Sequence, residues 1–199
     1  GFKLLMEADG DITFAIDDDS TWTPDDSVTS TAATYDDDAW HYVVGTKTGT
    51  TDIRLYIDGI LIGTDSSIAA TGTLTNNDTL YIGVDGDGTS NAWLGELDDI
   101  RIYNHARTQK QILQDMYGDH NAVHPVAYWS LDEGTGQTVS SSHGDKLKMS
   151  DSTLDGTLGS SAGDTTGDPD WITTETSCHK GKCLDFVTAN SDWVDVGDL

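Results

Sequence analysis

Residues 93–117 (WLGELDDIRIYNHARTQKQILQDMY) decide how the rest of the chain is interpreted. The segment from Trp93 to Tyr103, in which apolar residues recur, predicts a strand. Thr108 and Gln111 then form an S/T-x-x-Q capping box, which predicts that a short helix begins there. A last strand followed by a short closing helix indicates the end of a domain.

The next segment, residues 126–140 (VAYWSLDEGTGQTVS), begins with apolar residues and predicts instead the first strand of a module. Between the two lie residues 118–125 (GDHNAVHP), which are polar, close with proline and predict a linker. The end of a domain therefore comes before the beginning of one. This order predicts two half-domains, residues 1–117 and residues 126–199.

Short strands separated by turn residues run through both halves. In residues 2–16 two apolar runs flank Ala8-Asp9-Gly10, and the Asp-Gly pair supplies the positive φ that a tight hairpin needs. Further strands are predicted near residues 28–33, 40–45, 53–57, 60–62, 79–83, 171–172, 183–187 and 193–196. Many short strands with a single helix predict an all-β antiparallel sandwich.

Charge is the outlying bulk property, because 35 acidic residues stand against 10 basic ones for a formal net charge of -25. Such a surface repels nucleic-acid phosphates and anionic membranes, so neither partner is expected. No run of apolar residues is long enough to insert into a membrane. Cation binding at particular carboxylates, adaptation to high salt and a merely soluble extracellular surface would each produce this acidity.

Two cysteines, Cys178 and Cys183, flank the residues HKGK at a spacing that an antiparallel hairpin brings within disulfide distance. A disulfide is favoured over free thiols, and it predicts an oxidising location, extracellular or at the cell surface. Asn77, Asp78 and Thr79 form a glycosylation sequon that agrees with this location.

Several stretches together resemble a known family. In the first half these are AWHYVVGTKTG (39–49), DIRLYIDGILIG (52–63), LYIGVDGDG (80–88) and residues 93–117; in the second half they are VAYWSLDEGTGQTVS, LDGTL (154–158), DWIT (170–173) and GKCLDFVTANSDWVDV (181–196). The chain is similar to the laminin-G-like, concanavalin A-like jelly-roll modules of bacterial and archaeal extracellular proteins. The resemblance implies a jelly-roll sandwich with one short closing helix.

The family order is inverted in this chain, since its closing segments precede its opening ones. Between Leu199 and Gly1 the family would place about two more central strands. A window from a tandem array, a circularly permuted module, or a subunit completed by a neighbour's strands would each explain the order. Permutation is the least favoured, because unpaired backbone groups cost about 1–3 kcal/mol each.

Enzymatic relatives of this sandwich carry Glu-x-Asp-x-x-Glu on one strand, since retaining glycoside hydrolysis needs two carboxyl groups about 5 Å apart. Here the matching segment runs from Glu96 to Arg101, and a guanidinium stands where the second Glu is required. The chain is therefore predicted not to be an enzyme.

The resemblance also implies a calcium ion between a loop near the module's start and the Asp pair before its last strand. Asp98 and Asp99 match the pair. Ser141 stands where the family places an Asp in the loop, with Asp145 and Asp155 nearby as substitutes. Calcium takes oxygen ligands, which these side chains supply.

Among the aromatic residues, Trp22 lies in a polar loop and is the best candidate for stacking on a sugar, although packing of the loop would explain it equally well. The predicted function is a non-catalytic extracellular module that binds carbohydrate or another protein for adhesion. The alternative is a structural repeat of a surface filament or array, in which copies join head to tail by strand exchange. An accessory domain of a glycoside hydrolase is the third possibility.

Overall fold

The computed structural model forms two compact units, each built from two separate segments: Gly1–Asn76 with His105–Ala122, and Asn77–Asn104 with Val123–Leu199. It describes residues 1–19, 23–31, 34–75, 77–86, 90–118, 124–141, 154–159, 168–173, 178–187 and 192–196. Within these ranges no helix has the length and apolar character needed to cross a membrane. Most of the predicted linker, residues 119–123, lies outside the described residues.

Unit 1 contains two antiparallel sheets, ordered β1-β2-β3 and β4-β5-β6. Their strands are β1 (Phe2–Met6), β2 (Ile12–Ile16), β3 (Asp26–Thr29), β4 (Val43–Thr48), β5 (Asp52–Ile57) and β6 (Ile60–Asp65). The predicted hairpin between β1 and β2 is confirmed, and Gly10 turns it with a φ of 83°. Each pairing in these sheets joins strands that follow one another along the chain.

The core of unit 1 lies where β2 and β3 face β5 and β6. All five residues of β2 are buried, which identifies it as a central strand. The buried residues of the unit 1 core are Ile12, Phe14, Ile16, Val28, Ile53, Leu55, Ile57, Ile68 and Ala70.

The predicted helix is confirmed as α1 (Gln109–Met116), and its capping box forms as expected. The backbone N–H of Thr108 donates to Gln111 Oε1 at 2.9 Å, and Gln111 N donates to Thr108 Oγ1 at 3.4 Å. Gln109 Nε2 also donates to the carbonyl of Gly59 at 2.8 Å, so α1 packs on the turn between β5 and β6.

Unit 2 contains three antiparallel sheets within its described residues, ordered β10-β9, β11-β12-β15-β7 and β13-β14-β8. Its strands are β7 (Tyr81–Ile82), β8 (Gly95–Leu97), β9 (Ile100–Ile102), β10 (Ala127–Trp129), β11 (Thr138–Val139), β12 (Gly156–Leu158), β13 (Asp170–Ile172), β14 (Cys183–Phe186) and β15 (Val194–Asp195). Trp129 and Phe186 are completely buried in its core. The prediction of an all-β antiparallel fold with one short helix is confirmed.

The prediction of one continuous strand from Trp93 to Tyr103 is wrong. The segment breaks into β8 and β9 at Asp98 and Asp99, because Asp99 adopts a φ of 56° that an extended strand does not allow. The two pieces then pair with different strands, β8 with β14 and β9 with β10. The short strands β11 and β12 were also missed, since they lie in a turn-rich stretch.

The strands β7, β8 and β9 each pair with a strand from beyond residue 126. Segments that the sequence assigns to a closing half and an opening half thus share the sheets of unit 2. Whether residues 1–117 and residues 126–199 represent one module or two stays a prediction.

Candidate functional site

The turn between β8 and β9 holds the Asp pair singled out in the sequence. Asp98 is half-buried, and its Oδ2 accepts a hydrogen bond from the backbone N–H of Lys180 at 3.2 Å. Its Oδ1 is buried and has no hydrogen-bond partner among the described residues. A buried carboxylate oxygen without a donor is energetically costly, so this atom is the best ligand that the turn offers to a cation.

Burial raises the pKa of Asp98 to about 7. Repulsion from Asp99 and Asp132 acts in the same direction, while the hydrogen bond from Lys180 N opposes the shift. Near neutral pH this carboxyl group is therefore protonated in a substantial fraction of molecules, and a bound cation would favour its charged form.

Asp99 has a different role, because its Oδ1 is already held by two neighbours. The hydroxyl of Tyr128 donates to it at 2.5 Å, and Arg101 Nη2 lies 3.1 Å away in an ion pair. The Arg101 guanidinium also stacks 4.6 Å from the centroid of the Tyr128 ring, and only 6% of its side chain is exposed. Burial raises the pKa of Tyr128, so the phenol stays a neutral donor.

Cys178 and Cys183 form the predicted disulfide, with their Cα atoms 5.5 Å apart. The closed loop that they define, residues 178–183, lies against the Asp98 turn through Lys180 N. Covalent closure reduces the freedom of this loop in the unfolded chain, and so favours the conformation that supplies this donor.

A second carboxylate anchors the same loop. Asp132, which follows β10, accepts from the backbone N–H of Lys182 at 2.9 Å. Between the two anchored amides lies Gly181, with a φ of 71°, where an added Cβ would lie 2.2 Å from Asp132 Oδ1. Any side chain there would displace the carboxylate, so the close approach requires glycine.

The other predicted site residues are placed as follows. Asp155 Oδ1 accepts from Ser141 N at 2.8 Å, so this carboxylate stabilises the adjacent backbone. Asn77 is exposed, as a glycosylation acceptor would need to be. Trp22 and Asp145 lie outside the described residues.

The described part of the chain contains no group of three or more His, Cys, Asp or Glu side chains that could hold a metal ion. Asp98, Asp99 and Asp155 therefore do not form a calcium cage by themselves. Calcium at these residues stays a prediction.

Sequence reasoning did not identify Asp132 as part of this site. Its partner Lys182 lies 50 residues further along the chain, and no local pattern announces that contact. The available signal is its place in the segment VAYWSLDEGTGQTVS, which the sequence predicts to open a module.

The family model of the concanavalin A-like lectin/glucanases superfamily matches residues 1–113. The chain belongs to this superfamily. The resemblance inferred from the sequence is thereby confirmed, and so is the fold class that it implies. Membership in the superfamily, together with the disulfide, supports an extracellular binding or surface module in general.

Among curated proteins, none matches the chain. One solved structure is similar, an S-layer domain-containing protein (residues 221-444) from Clostridium thermocellum ATCC 27405. It is 25% identical, and the match covers 57% of this chain and 54% of that chain with a TM-score of 0.29. The chain thus spans about half the length of that structure, and a TM-score this low does not establish a common arrangement of strands.

Proposed function

We propose that the chain is a non-catalytic extracellular module that binds carbohydrate or another protein for adhesion. The main support is the superfamily match over residues 1–113, combined with the state of Arg101. Superfamily membership alone leaves lectins and glucanases both open, so the chemistry of the Glu96–Arg101 segment has to separate them.

Arg101 argues against hydrolysis through this segment. It occupies the position where a retaining glycosidase needs its second carboxyl group, and it is bound to Asp99 and stacked on Tyr128. A guanidinium held in this way cannot donate a proton to a leaving group at neutral pH. Glu96, exposed on β8, therefore lacks the partner that the reaction requires in this segment.

Trp22 is the proposed sugar-stacking residue. A glycan array, with extracellular matrix proteins printed beside the glycans, tests the function directly. We expect saturable binding that weakens by about tenfold in Trp22→Ala, since the packing of one aromatic ring against a sugar contributes about 1 kcal/mol or more. Trp40→Ala is the matched control, because Trp40 is a tryptophan with no proposed ligand and is 37% exposed, so its loss should leave binding unchanged.

Two results would contradict the proposal: no binding to any glycan or protein on the array by a folded chain, or turnover of a β-glucan. The second result would favour the accessory or degraded hydrolase instead.

A structural calcium ion at the Asp98 turn is part of the proposal. Asp98 Oδ1 is the oxygen available to it, and carbonyl and water oxygens would complete a shell of about six to eight ligands. At pH 8 calcium is expected to raise the denaturation midpoint of the wild type and leave that of Asp98→Asn unchanged. Asp155→Asn is the comparison variant, because the family pattern assigns Asp155 to the same site and its effect can be measured apart from that of Asp98. Magnesium is the control cation.

An extracellular or cell-surface location agrees with the disulfide and with the exposed sequon at Asn77. Secretion from a glycosylating host should therefore give a mass shift that is lost in Asn77→Gln and kept in the control Asn91→Gln, because Asn91 lies outside a sequon.

A further inference from the structure

Strand β1 lies at the edge of its sheet, and part of its core-facing side is uncovered. In the register of β1 and β2, Phe2 lies opposite Ile16 and Leu4 opposite Phe14, so each pair shares one face of the sheet. Ile16 and Phe14 are buried core residues, at 0% and 6% exposure. Phe2 and Leu4, on the same face, are 43% and 46% exposed.

The gap is confined to one end of the strand. Met6, the next residue on that face, packs against the core of unit 1 beside Ile12. The core therefore covers the hairpin end of β1 and leaves the end near Phe2 open. Two large apolar side chains on one strand face are more than isolated surface residues, and they mark a surface that can bury a partner.

The backbone of β1 is also available for pairing. Gly1 and Asp17 exchange both of their backbone hydrogen bonds, which makes them a hydrogen-bonded pair of the antiparallel ladder. Because such pairs alternate along the ladder, the N–H and C=O groups of Phe2, Leu4 and Met6 point away from β2. Among the described strands β1 pairs with β2 alone, so these groups form a free edge.

Carboxylates flank this edge at both ends. Glu7, Asp9 and Asp11 line an open depression at the hairpin end. At the other end, Asp18 and Asp19, which follow β2, are exposed, whereas Asp17 before them is buried. The local charge therefore favours an occupant with basic residues beyond both ends of an apolar middle.

We propose that the free edge of β1 is a docking site for an extended segment of a partner protein, with alternating apolar side chains and Lys or Arg at both ends. The segment adds a strand to the sheet β1-β2-β3: its backbone pairs with the outward groups of β1, and its apolar side chains cover Phe2 and Leu4. This goes beyond adhesion, because it assigns a class of partner to a surface which that function does not require.

A second copy of the chain is a poorer occupant. Each copy carries a net charge of -25. Antiparallel pairing of two β1 strands would also place the end of one copy that carries the exposed Asp18 and Asp19 beside Glu7 and Asp9 of the other. Coulombic repulsion then opposes the dimer, most strongly at low salt.

The test is fluorescence anisotropy of the full chain with a labelled peptide, Lys-Lys-Val-Thr-Val-Thr-Val-Lys-Lys. We expect saturable binding that weakens by about tenfold or more in Phe2→Thr or Leu4→Thr, because each change removes burial of a large apolar side chain. Threonine keeps the strand propensity of these positions. Ile60→Thr is the matched control, since Ile60 is 63% exposed on β6, and it should bind like the wild type.

Two altered peptides separate the parts of the proposal. Glutamate in place of the lysines, or N-methylation of alternate amides, should each abolish binding, because they remove charge complementarity or backbone donors. Equal binding of the acidic peptide, or of the Leu4→Thr chain, would overturn the docking site. So would concentration-dependent self-association in light scattering that Leu4→Lys abolishes, because it would make a second copy the occupant and favour the strand-exchanged filament. Failure here leaves the glycan-array result unaffected, so the two proposals fail separately.

Discussion

The two units of this chain are assembled from the same kinds of strand by different rules. In unit 1 every sheet pairing joins neighbours along the chain, such as β1 with β2 and β4 with β5. In unit 2 the strands β7 and β8 pair with β15 and β14, which lie far away in the sequence. Local turns set the strand pairing of the first unit, whereas part of the strand pairing of the second forms only when distant segments meet.

This difference affects stability and electrostatics as well. Unit 2 closes a loop with a disulfide, and its sheet β13-β14-β8 places Asp170, Asp185 and Glu96 side by side in register. Like charges directly opposite one another weaken a sheet. Unit 2 thus contains a disulfide that stabilises it and repulsion between paired carboxylates that destabilises it. We therefore expect the stability of unit 2 to respond more strongly than that of unit 1 to redox state and pH.

The largest expected effect comes from the unit 2 core. Phe186→Ala should lower the free energy of unfolding by about 3–5 kcal/mol, because a completely buried aromatic ring leaves a cavity. Hydrogen exchange read by mass spectrometry should show protection lost in β13, β14 and β8 and kept in β4, β5 and β6. Phe14→Ala should give the reverse pattern, and Phe2→Ala should change little. Equal loss throughout the chain for both core variants would show that the units unfold together.

Reduction of the disulfide is expected to have the next largest effect. Releasing the short loop between Cys178 and Cys183 should cost about 2 kcal/mol through the entropy of the unfolded chain. The loss should appear in unit 2 alone, as faster exchange at Lys180 and Lys182. A chain carrying Cys178→Ser and Cys183→Ser should match the reduced wild type and ignore the reductant; identical exchange in both redox states would contradict this expectation.

Titration should separate the two units further. Asp98, in unit 2, has its pKa raised to about 7, chiefly by burial. Its stabilising contribution is therefore present at pH values below about 4 and is lost as the pH rises toward 7. Denaturation midpoints of unit 2 should fall across that window, and Asp98→Asn should flatten the fall.

His41, in unit 1, should lose its stabilising contribution over a range that begins at higher pH than that of Asp98. Burial acts to lower its pKa, but hydrogen bonds with Asp58 and Asp37, at 2.8 and 3.1 Å, outweigh burial and raise it. Its contribution is complete below about 6.5 and is lost as the pH rises through the raised value. His41→Gln should remove this loss at pH values above about 6.5 from unit 1 and leave unit 2 unchanged. A loss of both units over one common window would contradict the assignment.

The smallest effect should be a gain. Asp185→Asn in unit 2 relieves repulsion from Asp170 and Glu96 and should add about 0.5 kcal/mol, within the range for cross-strand pairs. Burial and these neighbours raise the pKa of Asp185, so the gain should vanish at acidic pH where the carboxyl group is already neutral. Denaturation at pH 7.5 and at pH 3 measures it, with Asp195→Asn as a control on β15. A destabilised Asp185→Asn at pH 7.5 would mean that the carboxylate has an attractive partner.

Prediction from sequence succeeded where a feature is encoded by neighbouring residues. The Asp9-Gly10 hairpin, the Thr108 and Gln111 capping box and the Cys178–Cys183 disulfide each depend on a few adjacent positions, and the structure contains all of them. The break at Asp99 was missed because a segment with recurring apolar residues resembles a strand whether or not one residue within it adopts a positive φ.

For the candidate site the sequence identified Asp98 and Asp99 as residues of interest but could not assign their roles. Their spacing is the same whether they bind calcium or neighbouring side chains. The structure separates them, because Asp99 meets Tyr128 and Arg101, while Asp98 is left with a buried oxygen that has no described donor.

By itself the sequence determined the superfamily, the all-β class with its closing helix, the local hairpins and the disulfide. The superfamily was identified by resemblance to known modules, whereas the β class, the hairpins and the disulfide follow from periodicity, turn residues and short spacing, which reflect interactions between neighbouring residues. Only the tertiary structure decided which distant strands share a sheet, which carboxylates become buried and which edge of β1 stays open. Those outcomes depend on contacts between residues tens of positions apart, whose free energy exists only once the chain has folded.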